Sequence, residues 1–324
     1  MEEQVLHFAD QFAWEPDVIR AERLPEDNTH FIVCGMGGSH LGARLLLRHD
    51  RTLNLSIHSD YGLPGGSEHH LRTALVIACS YSGETEETID AAQEALKAGL
   101  SVAVVTTGGA LARFAEEQSL PLIVIPKQSV EPRMAVGAFM LALARLMRDK
   151  GLENSIRKAG ANADVRRGQA EGELLAKRLV GSVPLVYASS LNASLAYFWK
   201  IAFNETSKTP ASYNLFPELC HNELSGFDSA ESARALSSKM HVLLLRDNDD
   251  DPRIEKRMRL MQELLDARAV GVSIVELTGE NGLEKALNGV LTGVWTALAL
   301  AKEYGAPDSA TPLIAEFKQK MKDL

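Results

Sequence analysis

Short runs of Val, Ile, Leu and Cys recur along this chain, each followed by a turn of Gly, Ser or Thr and then by a helical pattern. This alternation restricts the fold more than any other feature. In the first half it reads "HFIVCGMGGSHLGARLLL" (30–47), "LNLSIHSDY" (53–61), "TALVIACSYSGETEETIDAAQEALKAG" (73–99), "SVAVVTTGG" (101–109) and "LPLIVIPKQ" (120–128). The apolar runs lack polar alternation, as expected of strands covered on both faces. Strand and helix in turn predict βαβ units and a largely parallel sheet flanked by helices. The fold class is therefore α/β. A helical segment is expected before the first strand, ending near "LPEDN" (24–28).

The pattern then starts again. A helical stretch, "MAVGAFMLALARLMRDKG" (134–151), leads through a charged helical region to "VPLVYASSLNASLAYFWKIAFNETSK" (183–208). "KMHVLLLRDNDDDPRIEKRMRLMQELLDA" (239–267), "VGVSIVEL" (270–277) and a long helix through "LEKALNGVLTGVWTALALAKEYG" (283–305) follow. A chain of 324 residues accommodates two domains of about 150 residues each. A pseudo-repeat is expected, with the boundary between about 150 and 175: residues 1–155 carry the candidate phosphate-binding turns, and residues 156–324 carry the candidate Glu and His.

Composition excludes several function classes. The chain is 45% hydrophobic and 24% charged, that of an ordinary globular protein. Its formal charge of -9 gives no general attraction to nucleic acid or to an anionic membrane, so a phosphorylated ligand needs a dedicated local site. Cys34, Cys79 and Cys220 form no CxxC pair, which fits a reducing cytoplasm, and Cys34 and Cys79 read as small core residues. The N-terminus is acidic and no apolar span approaches 18 residues, so neither secretion nor membrane insertion is expected.

Ligands of open parallel sheets sit beyond the carboxyl ends of the strands, which directs attention to the turns. In "GMGGS" the glycines allow tight turning and close backbone approach, and the following helix start offers N–H groups to an anion; a merely tight turn fits equally well. His40 stands where a dinucleotide fingerprint needs its third glycine, and no Gly-Lys-Ser or Gly-Lys-Thr is present. In "SYSGET", Ser80, Ser82 and Thr85 place three hydroxyls around a glycine, more than N-capping of the next helix requires. Arg133, after Pro132, suits either a ligand contact or a surface ion pair. The run Asp247, Asp249, Asp250 and Asp251 reads as a solvated turn and helix start that would repel phosphate. "NETSKTPASYNLFPELCHNE" (204–223), a Pro-, Ser- and Thr-rich crossing between helices, is either a solvent-facing loop or a proton-transfer site built on Glu205, His221 and Glu223. The nine histidines show no HExxH or other compact ligand spacing, so no metal is expected.

Together, "GMGGS", "SYSGETEET", "EPR", "FNE" and "FPELCHNE" resemble the bifunctional phosphoglucose/phosphomannose isomerases, which are built from two sugar isomerase (SIS) domains. The resemblance runs from about residue 30 to the C-terminal helix. It implies phosphate binding by Ser80, Ser82 and Thr85 with the turn Gly37, Gly38 and Ser39. It also implies an active-site arginine at Arg133, a catalytic base at Glu205 and a ring-opening histidine at His221. Lys318, or Lys320 after a small register change, falls where the family has a lysine near the sugar ring, with Thr311 as the accompanying hydroxyl. Glu223 supports His221 or caps the following turn. The implied reaction interconverts glucose 6-phosphate and mannose 6-phosphate with fructose 6-phosphate through a cis-enediol, without cofactor or metal, in a cytoplasmic homodimer serving glycolysis and gluconeogenesis. Its histidine reaches the site from the partner subunit. Glu84 departs from the family pattern, which has Asn there, and weakens phosphate binding only if its carboxylate faces the phosphate. A non-catalytic SIS protein that holds a sugar phosphate, and a general α/β enzyme with a solvated 204–223 loop, are the alternatives.

Overall fold

The first apolar runs form a five-stranded sheet of β1 (His30–Gly35), β2 (Leu55–His58), β3 (Ala74–Ser80), β4 (Ser101–Thr106) and β5 (Leu122–Val124), in the order β2-β1-β3-β4-β5. Every neighbouring pair is parallel. All seven residues of β3 are buried, which is why that run shows no polar alternation. The helix Glu86–Lys97 covers one face through Thr88, Ala91, Ala92 and Ala95, the i, i+3, i+4, i+7 spacing of a single helical stripe. On the other side the helices Leu41–His49 and Val136–Leu146 meet closely at Gly42, where a Cβ would lie 2.9 Å from that of Phe139.

The computed structural model describes residues 1–127, 131–228 and 231–323. Contacts divide it into two units, one of Leu6–Ala163 with Gly279–Leu287, the other of Met1–Val5, Asp164–Thr278 and Asn288–Leu324. The second unit holds β6 (Val183–Ser189), β7 (Ser212–Phe216), β8 (Met240–Arg246) and β9 (Gly271–Glu276) in the order β7-β6-β8-β9, again all parallel. The strand order of the first sheet is thus repeated, one strand short. Tyr187, Phe216, Leu244 and Met258 belong to a buried cluster on this sheet.

Cys34 and Cys79 are buried, and loss of solvent pushes both thiols up, that of Cys34 to about 12. Two expectations differ from the structure. The N-terminal segment is not one helix: a short helix (Glu2–Leu6) gives way to 3-10 turns at Phe8–Ala13 and Ala21–Arg23, with Ile19 bridging to Leu122 on the edge strand. The stretch 204–223 is not a plain crossing, because "SYNLF" forms β7. That strand lies at the sheet edge and is buried only at Phe216, so it carries little of the apolar signal that marks its neighbours. Among the described residues, no helix is long and apolar enough to cross a membrane.

Candidate functional site

The order of the first sheet reverses direction between β1 and β3, and the register pairs Gly35 with Cys79 and Ser80 with Thr106. The turns after β1, β3 and β4 therefore open side by side at the crevice where such sheets bind ligands. They are tied directly to one another. Ser39 Oγ accepts from the Tyr81 N–H at 2.9 Å, and Thr107 Oγ1 donates to the Tyr81 carbonyl at 2.7 Å. Ser80 and Thr85 hydroxyls pair at 2.8 Å, and Ser80 Oγ also accepts from the Gly83 N–H. Ser82 Oγ accepts from the Glu84 N–H and is itself exposed.

Capping does not consume these hydroxyls. Thr85 is the N-cap of the helix Glu86–Lys97, yet its side chain makes no capping hydrogen bond. The first-turn N–H groups are left to solvent or to an anion, as phosphate sites at helix starts require. Glu84 is turned away from this role: its Oε1 accepts from the Ala110 N–H at 2.9 Å, at the start of the helix Gly109–Glu117. The departure from the family pattern thus serves the neighbouring helix.

Arg133 is not a surface cation. It is 2% exposed, and its Nη1 lies 3.3 Å from Glu131 Oε2. Its backbone explains Gly38, where a Cβ would stand 2.7 Å from the Arg133 nitrogen and from the Pro132 carbonyl carbon. No side chain fits at that approach, so the glycine turn and the arginine turn are set against each other. His40, which reads in the sequence only as a missing glycine, is buried here; burial and then Arg44 push its imidazole down to about 4, keeping it neutral near pH 7. The turn formed by Thr106, Thr107 and Gly108 joins the cradle as well, and its mark in the sequence is no more than "TTGG" at a strand end.

A second group of candidates lies in the other unit. The buried helix Ala193–Ala202 runs into a π-helical turn, Phe203–Ser207, which carries half-buried Glu205. Such widened turns re-aim side chains and recur at functional positions. Lys208 closes the turn in a left-handed conformation, donating from Nζ to the Glu205 carbonyl. Asn204 Oδ1 accepts from the Ala211 N–H, fixing the chain as it leaves.

Glu223 is held from two sides. Tyr187 Oη donates to Oε1 at 2.5 Å and Asn214 Nδ2 donates to Oε2. Burial, together with this carboxylate, pushes the Tyr187 phenol up, so it remains a donor. His221, two residues earlier, is exposed, and its side chain makes no hydrogen bond among the described residues. Glu223 therefore does not orient His221 through a direct hydrogen bond. Asn222 Oδ1 accepts from the Glu223 N–H and so caps the turn that follows. Thr311 starts the helix Pro312–Lys322, on which Lys318 and Lys320 are both exposed. Lys320 pairs with Glu316 at 2.7 Å. Among the described residues, no group of three or more His, Cys, Asp or Glu is placed to hold a metal ion.

Residues 169–321 match the bacterial phospho-glucose isomerase C-terminal SIS domain. The bifunctional phosphoglucose/phosphomannose isomerase of Aquifex aeolicus (strain VF5) is 30% identical over 320 residues, covering 97% of this chain and 96% of that protein. The chain belongs to the bifunctional phosphoglucose/phosphomannose isomerase family. The protein of that description from Caldicellulosiruptor bescii is also 30% identical, over 92% of this chain and 91% of its own. A crystal structure of a hypothetical protein from Thermus thermophilus shares the fold with a TM-score of 0.69, at 19% identity, over 99% of this chain and 88% of that one.

Membership of the bifunctional phosphoglucose/phosphomannose isomerase family makes this chain a sugar-phosphate isomerase of the SIS type. Within it, the Tyr187–Glu223 bond offers a direct measurement. Tyr187→Phe strips one donor from a half-buried carboxylate and is expected to lower unfolding stability by about 1–3 kcal/mol in urea titration. An unchanged midpoint would show that Asn214 alone satisfies Glu223.

Proposed function

We propose that the protein interconverts glucose 6-phosphate and mannose 6-phosphate with fructose 6-phosphate through a cis-enediol, without a metal. The observation that carries this reading is the cradle of three interlocked turns, rich in hydroxyls not spent on capping and backed by buried Arg133. Phosphate binds at Ser80, Ser82 and Thr85 with Gly37, Gly38 and Ser39. Glu205 moves the proton between C2 and C1, one carboxylate sufficing for abstraction and return. Arg133 stabilises the charge that develops on the enediolate oxygens. His221 opens the ring, passing a proton between the anomeric hydroxyl and the ring oxygen, with Lys318 assisting.

The protein works as a homodimer in which the partner subunit's His221 completes each site. An exposed histidine whose side chain has no hydrogen bond among the described residues of its own chain supports this reading. Mixing Glu205→Ala and His221→Ala variants, each inactive alone, is expected to restore activity in heterodimers. Persistent inactivity after verified subunit exchange would place His221 in its own chain's site.

A coupled assay from fructose 6-phosphate towards each epimer, with and without chelator, tests the reaction itself. Turnover to both products in chelator is expected. Binding without turnover would instead favour a sugar-phosphate sensor. Thr311, whose hydroxyl caps no helix N–H, leaves room for both ring orientations. Thr311→Gln is expected to change the ratio of the two activities, and an unchanged ratio would remove Thr311 from epimer tolerance.

A further inference from the structure

A cleft of about 630 Å³ lies in the unit that carries the cradle, lined by Arg145, Arg148, Lys150 and Arg157 with Glu15 and Glu153. Four cations against two carboxylates form a local positive patch in a chain of net charge -9. The two carboxylates differ in kind. Glu153, 9% exposed, takes Arg145 Nε at 2.8 Å and Nη2 at 2.9 Å, and those hydrogen bonds hold its carboxyl below the ordinary range. It is a fixed structural partner. Glu15, 72% exposed, accepts one longer hydrogen bond from Arg145 Nη2 at 3.3 Å and forms an ion pair with Arg157 Nη2 at 3.0 Å.

Arg145 is well supplied, with Nη1 donating to the Pro16 carbonyl at 2.6 Å, but one donor of Arg157 is not. Arg157 Nη2 is buried and out of line for a hydrogen bond with Glu15, although Nη1 donates to the Phe12 carbonyl at 2.7 Å. Arg148 sits just past the end of the helix Val136–Leu146 at φ +56°, a left-handed position that glycine usually fills. That conformation costs an arginine about 1 kcal/mol. It leaves Arg148 exposed at the rim of the cleft, tied by Nη2 to the Leu24 carbonyl at 3.2 Å, with exposed Lys150 close by in sequence.

We propose that this cleft is a second anion site, taking a small molecule with a phosphate or diphosphate group whose oxygens replace the Glu15 carboxylate between Arg145 and Arg157. Guanidinium pairs bind such oxygens in forked geometry, and Glu15 holds the place of the ligand when none is bound. The cleft is separate from the cradle. Arg133 and Arg145 flank opposite ends of the helix Val136–Leu146, whose 11 residues span about 16 Å.

The test is calorimetric titration of inorganic pyrophosphate at physiological salt into wild type, Arg148→Gln/Lys150→Gln and Glu15→Gln. Two binding events are expected in wild type, one of them in the cradle. The double variant is expected to weaken the other at least about tenfold, and Glu15→Gln to tighten it by several fold, since a competing charge is gone. None of these residues belongs to the isomerase machinery, so sugar-phosphate turnover without pyrophosphate should match wild type in both variants. Because the readout is binding, a failure of the isomerase reading leaves this result intact. Superimposable isotherms for all three proteins, or a single binding event unaffected by either variant, would overturn the proposal.

Discussion

Glu205→Ala is expected to lower sugar-phosphate turnover by about a hundred- to ten-thousandfold, the range over which a positioned general base acts. The residue stands on a π-helical turn at the end of a buried helix, with Lys208 and Asn204 fixing the backbone around it, so truncating the side chain leaves the turn's own bonds in place. The loss should therefore fall on kcat, with phosphate-dependent binding close to wild type. Exchange of the C2 proton with solvent, followed by deuterium incorporation, reads the same step without a coupling enzyme. Retained exchange in the variant would take the base role away from Glu205.

Gly83→Ala is expected to damage the cradle as a whole. Gly83 sits at φ +69°, where a side chain costs about 1–2 kcal/mol. Its Cβ would also lie 1.8 Å from the Gly108 carbonyl oxygen and 2.9 Å from Thr106 Oγ1. Backbone cannot yield that distance without separating the turns after β3 and β4. A total destabilisation of about 3–5 kcal/mol follows, at the upper end of single-residue effects. Thermal unfolding should show it, together with weakened binding of inorganic phosphate. A variant with wild-type melting temperature and phosphate affinity would mean that the interlock of these two turns does not position the hydroxyls of Ser80, Ser82 and Thr85.

Much of the fold was legible because fully buried parallel strands leave an unbroken apolar trace: β1, β3, β4, β6 and β8 all announce themselves in this way. β7 did not, since an edge strand buried at one residue needs no such trace. The cradle was legible in outline, because glycine and hydroxyl residues directly after a strand have few other uses. What could not be read was how the turns meet. Gly38 is required by the Arg133 backbone as much as by any ligand, and Arg133 itself looks in sequence like one more surface cation. The π turn under Glu205 and the Tyr187 and Asn214 grip on Glu223 depend on residues 36 and 9 positions away from that carboxylate or on backbone hydrogen bonding that composition does not encode. The direction of Glu84 is not encoded locally, because a carboxylate serves a phosphate turn badly and a helix start well, and its partner at Ala110 lies 26 residues on.

The run of aspartates after β8 was expected to be a solvated turn, and Asp251 is one, accepting from the Arg253 N–H at the start of the helix Pro252–Asp266. Asp247 is not: it is 2% exposed and takes a hydrogen bond from buried Asn192, which also donates to Ser189 Oγ. These residues stand at the ends of β6 and β8, the counterpart in the second sheet of the place where the first sheet opens its cradle. The repeated architecture therefore has two mouths of opposite character. One is lined with hydroxyls; the other is stoppered from within by an acid and an amide. The first offers an anion hydroxyl and N–H donors, and the second sets a buried carboxylate in the same place. The repeat supplies symmetry of backbone, and a few side chains at a single strand end make its two copies chemically unlike.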